Sequence, residues 1–112
     1  MSHVDPQKYQ EFVDAVTSNE SKNYYDFAQR IAVLQDQDFP TERLLTAAVG
    51  MSAESGEFTE VIKKIIFQGK PVNDENLFHL KRELGDIMWY VMQACMGLDI
   101  TLDEVIEMNV DK

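Results

Sequence analysis

Cysteine is nearly missing from this 112-residue chain, which has only Cys95. One thiol cannot close an internal disulfide, so the fold must be held by packing, and a reducing environment is expected. Cations are scarce as well. Ten Lys plus Arg face twenty Asp plus Glu, a net charge of −10, which opposes unassisted binding to polymeric nucleic acid or an anionic membrane. A polyanionic small molecule would have to arrive with its own cation. Long apolar runs are also lacking. The longest, Ile87 to Leu98, lies between Asp86 and Asp99 and is too short to span a bilayer. No basic, apolar leader opens the chain, so a cytoplasmic protein without a membrane segment is expected.

Proline and glycine, at three and five residues, are too few to punctuate a β-rich fold. Apolar residues instead recur every three or four positions, the helical period. The expectation is all-α: a single domain over residues 1–112, built as a bundle of four to five helices. A first helix is expected from Asp5, as cap, to Val16, with Pro6 in its first turn. A second covers Lys22 to Leu34, before the polar run Gln35 to Asp38. A long third helix starts near Pro40-Thr41 and reaches Phe67, where Gly69-Lys70-Pro71 stops it. The cluster Asn73-Asp74-Glu75 then caps a fourth helix that ends near Leu98. Thr101 and Glu104 have capping-box spacing and open a fifth, expected to be still helical at Lys112.

Two acidic pairs carry the chemistry: Glu54 with Glu57 on the third helix, and Glu83 with Asp86 on the fourth. Each pair is spaced i, i+3, so both members leave one side of their helix. On the third helix Leu44, Ala47, Met51, Phe58, Val61, Ile62 and Ile65 form an apolar stripe. Glu54 falls inside it and Glu57 at its edge. An unpaired charge in such a stripe costs several kcal/mol, so the group should be paired, protonated or bound to a metal. On the fourth helix Leu80, Leu84, Ile87, Val91 and Leu98 make the stripe, with Glu83 on its flank and Asp86 and Tyr90 farther round. Packed side by side, the two helices can focus four carboxylates on a hard divalent cation.

The plainer reading is a solvated acidic face paired with Lys63, Lys64, Lys81 and Arg82. Glu54 inside the stripe weighs against it. A di-iron Glu-x-x-His pattern fails because Asp86 follows Glu83 at the third position. An EF-hand fails for want of the central glycine. Cys95 reads as core packing, and His3 and His79 as surface residues. Lys64 lies on the Glu57 side and is retained as a phosphate contact, although solvated lysine is the commoner role.

The stretch from Gly50 to Lys64, GMSAESGEFTEVIKK, followed by Glu83-Leu-Gly-Asp86-Ile-Met-Trp-Tyr90, resembles the MazG-like members of the all-α nucleoside triphosphate pyrophosphohydrolases. The tail from Asp99 to Lys112 is similar to that family's closing helix. The resemblance implies Mg²⁺, with Mn²⁺ as a possible substitute, held by Glu54, Glu57, Glu83 and Asp86. It implies hydrolysis of a nucleoside triphosphate to monophosphate and pyrophosphate, as in cleaning of the nucleotide pool, by a homodimer or homotetramer. Tyr90 matches a position lining the nucleotide site, and Asn109 and Lys112 match a pair near phosphate or sugar. Many relatives carry Glu-Glu where this chain has Ala53-Glu54. An ionised carboxylate, first of all Glu57, is the expected acceptor of the water's proton. The readings that compete with this enzyme are a DNA-mimicking protein and an acidic helical interaction module.

The oligomer expectation has its own source in the residues. Opposite the stripe of the fourth helix stand Trp89, Met92 and Met96, so that helix is apolar nearly all round and its second face needs cover, either from another subunit or from the first two helices of the same one.

Overall fold

The computed structural model describes residues 3–112, and among these it contains helices and no strand. They fall into two compact units, dividing between Phe39 and Pro40.

In the first unit, helix α1 spans Pro6–Ala15 and α2 spans Tyr24–Asp36, with a short 3₁₀ turn at Asn19–Ser21 between them. Asp5 caps α1 by accepting from the amides of Gln7 and Lys8 at 3.1 and 3.2 Å. The start of α2 lies two residues later than expected because Asn23 is its cap, accepting from the Asp26 amide at 2.9 Å. The helix also runs on to Asp36, and the chain turns only where Asp38 takes a left-handed φ of 60°.

The second unit is built on a helical hairpin. Helix α3 spans Thr41–Phe67 and α4 spans Asp74–Leu98, as the pattern predicts. Gly69, at φ 72°, ends α3, and the Lys70 amide returns to the Lys64 carbonyl at 3.1 Å. Asn73 opens α4 by accepting from the Asn76 amide at 2.9 Å. Asp99 closes it in the left-handed region at φ 53°, a conformation that the short Asp side chain tolerates. Helix α5, Leu102–Val110, begins with the expected capping box between Thr101 and Glu104. It stops at Val110, short of Lys112, with the Asp111 amide closing its last turn on the Glu107 carbonyl at 2.9 Å.

The α3 and α4 helices run antiparallel. Gly97 meets Leu44, Gly50 meets Tyr90, and Glu54 meets Glu83 and Asp86, so positions rise along one helix as they fall along the other. Their seam buries Ala47, Gly50 and Cys95 and half-buries Leu44, Met51, Phe58, Val61, Ile62 and Ile65. On α4, Leu80, Ile87 and Val91 join the seam, whereas Leu84 and Leu98, expected in the core stripe, are more than half exposed. The seam between two helices covers only a narrow strip of each, which leaves the flanks of the predicted stripe outside.

Candidate metal centre

Glu54 stands at mid-length of α3, facing α4 one turn beyond Gly50 and Met51. Glu83 and Asp86 come from α4, one turn apart. Oxygens of these three carboxylates lie within 4.8 Å of one another, and all three side chains are half-buried. One oxygen of Glu83, Oε2, is buried without a hydrogen-bond partner.

No lysine or arginine pairs with this trio among the described residues. The cations expected as partners are engaged elsewhere or not at all: Lys63 and Lys64 approach Glu60, at 3.0 and 4.0 Å. With nothing to neutralise them, the three carboxylates resist full ionisation. The Glu54 carboxyl is pushed up from 4.5 to about 7, first by a hydrogen bond shared with Glu83, then by burial, then by the charges of Glu83, Asp86 and Glu57. Adjacent carboxylates in a poorly solvated site cannot all ionise without a counter-charge. A proton meets that need in part. A hard divalent cation, which seeks several oxygen ligands, would meet it fully.

Glu57 is exposed and is not one of the three, although its charge bears on Glu54. Tyr90 joins the site directly: a cavity of about 300 Å³ is lined by Glu54, Asp86, Trp89 and Tyr90. Its ring rests on Gly50, where a Cβ would collide with ring carbons Cδ1, Cε1 and Cζ. Lys64 borders a different cavity, of about 220 Å³, with Lys70, Asn76 and His79. Asn109 is exposed on α5. Lys112 lines a third hollow with Glu104, Glu107, Met108 and Asp111. Within one chain, then, the structure groups Glu54, Glu83, Asp86 and Tyr90, and leaves Lys64, Asn109 and Lys112 at other hollows or on the surface.

Two further residues stand beside the cluster. Gly50, the first residue of the stretch that carries the family resemblance, gives no sign in the sequence of its partner Tyr90 forty positions away. Trp89 reads from the helical pattern as an outward apolar residue, whereas in the fold it lines the carboxylate cavity.

Such a site defines a class: an all-α protein whose helical hairpin gathers carboxylates in the manner of a divalent-cation centre. The MazG nucleotide pyrophosphohydrolase domain matches residues 42–112, well over half of the chain, which therefore belongs to that family. The chain is also 39% identical over 72 residues to the Gene 37 protein of Mycobacterium phage L5, a match covering 63% of each. No solved structure matches it. Among the described residues no helix is long and apolar enough to cross a membrane.

Proposed function

We propose that the chain hydrolyses nucleoside or deoxynucleoside triphosphates to the monophosphate and pyrophosphate, in the cytoplasm and as a homo-oligomer that clears the nucleotide pool. The observation that carries this reading is the focus of Glu54, Glu83 and Asp86, half-buried and without a basic partner. The donor set fits Mg²⁺, or Mn²⁺ in its place: all ligands are oxygens, and the unpartnered Oε2 of Glu83 is already withdrawn from water. When bound, such a cation neutralises charge on the phosphate oxygens and helps align a water for attack.

The chain's own residues do the rest. Glu54, Glu83 and Asp86 would hold the metal, all three as carboxylates. Glu57, one turn from Glu54 and open to solvent, would be the further carboxylate available to the metal. It also takes one proton of the attacking water as that water's oxygen bonds to phosphorus and the α–β anhydride bond breaks, and then passes the proton to solvent, so that one water is consumed per turnover. Tyr90 borders the nucleotide. Lys64, which borders a separate hollow of its own chain, and Asn109 on α5 with Lys112 just beyond that helix are the contacts to phosphate or sugar, brought to the site from a neighbouring subunit.

Chromatography of products tests the reading, using a panel of nucleoside triphosphates with Mg²⁺. Monophosphate plus pyrophosphate is expected, with activity abolished by chelator. The variants Glu54→Gln, Glu57→Gln, Glu83→Gln and Asp86→Asn should each lose at least ~100-fold in turnover while remaining folded. Diphosphate plus orthophosphate as products, or full activity in chelator, would refute it.

A further inference from the structure

We infer that Trp89 is the surface on which the nucleobase of the substrate stacks; this rests on the nucleotide reading above and adds a residue to it. Trp89 lines the cavity that also holds Glu54 and Asp86, so a molecule whose phosphates sit at the carboxylates has an indole within the same hollow. A volume of about 300 Å³ is at the small end for ligand sites, roughly 300–1,000 Å³, and suits part of a nucleotide.

The neighbouring ring shows why Trp89 rather than Tyr90 is the platform. Tyr90 is half-buried, and its ring is committed to the backbone of Gly50. Trp89 is 56% exposed, which leaves indole surface free. The two rings meet edge to face, centroids 4.9 Å apart and planes at 81°, a favourable aromatic geometry. Gly50 thus seats Tyr90, and Tyr90 braces Trp89. A braced indole loses little freedom when a base settles on it, which lowers the cost of binding. In a chain of net charge −10, stacking also recognises the base, the uncharged end of the substrate, without a cation. Every base offers a π-face, so the platform should accept several bases and bind purines at least as well as pyrimidines.

Trp89 is the one tryptophan of the chain, so its emission reports on this site alone. The test titrates the protein with a non-hydrolysable nucleoside triphosphate and Mg²⁺, and in parallel with inorganic triphosphate and Mg²⁺. The nucleotide should change the emission and inorganic triphosphate should not. In steady-state assays Trp89→Leu should raise KM about 10-fold, within the range given by base stacking, with kcat little changed, and Trp89→Phe should recover most of the loss. Equal responses to the two ligands, no response to either, or an unchanged KM in a folded Trp89→Leu would overturn the assignment. If Trp89→Leu does not fold, the two titrations of the unaltered protein decide alone. Failure of the hydrolase reading is separable: the unaltered protein would then release no pyrophosphate from any nucleotide, whatever its fluorescence does.

Discussion

Glu54 sits half-buried on the α3–α4 seam, its carboxyl beside those of Glu83 and Asp86 and with no cation to neutralise the three. Helical periodicity alone puts it in an apolar stripe, and the fold then supplies Glu83 and Asp86 as neighbours. Its partners across the seam were legible because both acidic pairs keep the i, i+3 spacing. The direction of Glu57 was not, since a residue at the edge of a stripe can turn either way and the rotation of the helix pair decides. A pH dependence follows from the Glu54 carboxyl, raised from 4.5 to about 7 in the folded chain. A folded state that binds a proton more tightly than the unfolded chain is favoured at low pH. In chelator, this contribution is fully present below about 4.5 and is lost as pH rises to about 7. Glu60 does not confuse the window, because its ion pair with Lys63 holds its carboxyl below the ordinary value. Thermal melting across that range should show stability falling with pH, with a shallower fall in Glu54→Gln. A flat profile, or identical slopes in both proteins, would contradict the account.

At the scale of elements, α3, α4 and the start of α5 are legible in the sequence because their ends carry local signals: Gly69 after α3, Asn73 before α4, and the Thr101–Glu104 box. What could not be read was the spacing between helices, which depends on residues far apart in sequence. Gly50 and Tyr90 are the case in point. Replacing a helical glycine by alanine ordinarily gains up to ~1 kcal/mol, and Gly56, with nothing within 4 Å of an added Cβ, should behave that way. At Gly50 the added methyl meets the Tyr90 ring, and overpacking typically costs about 1–3 kcal/mol. Gly50→Ala should therefore be less stable than Gly56→Ala in denaturant melts and should raise KM by displacing Tyr90. Equal stabilities with an unchanged KM would show that the ring has no fixed seat.

For the molecule as a whole, the second unit has more apolar surface than a seam between two helices can cover. Leu45, Val49, Leu84, Met96 and Leu98 are each more than half exposed. Of the face expected from sequence to be apolar, Met92 and Met96 remain open, while Trp89 turns out to share the carboxylate cavity. Large exposed apolar patches mark interaction surfaces, and aromatic residues and Met are enriched at interface centres. The proposed dimer or tetramer is tested by light scattering at micromolar concentration. The native chain should be larger than a monomer, and Met92→Glu should shift it toward smaller species. A native monomer would refute the oligomer and remove the route by which Asn109 and Lys112 reach the site.

The central claim is that Glu54, Glu83 and Asp86 form a cation site completed by a nucleotide. Its most direct test is thermal melting of the native chain and of Glu83→Gln, each with Mg²⁺ alone, a non-hydrolysable nucleoside triphosphate alone, and both together. A ligand that binds only the folded state raises the melting temperature by mass action. The account predicts that the pair stabilises the native chain by more than the sum of its single effects, and that Glu83→Gln loses this excess while keeping its fold. No excess in the native chain, or the same excess in the variant, would contradict it.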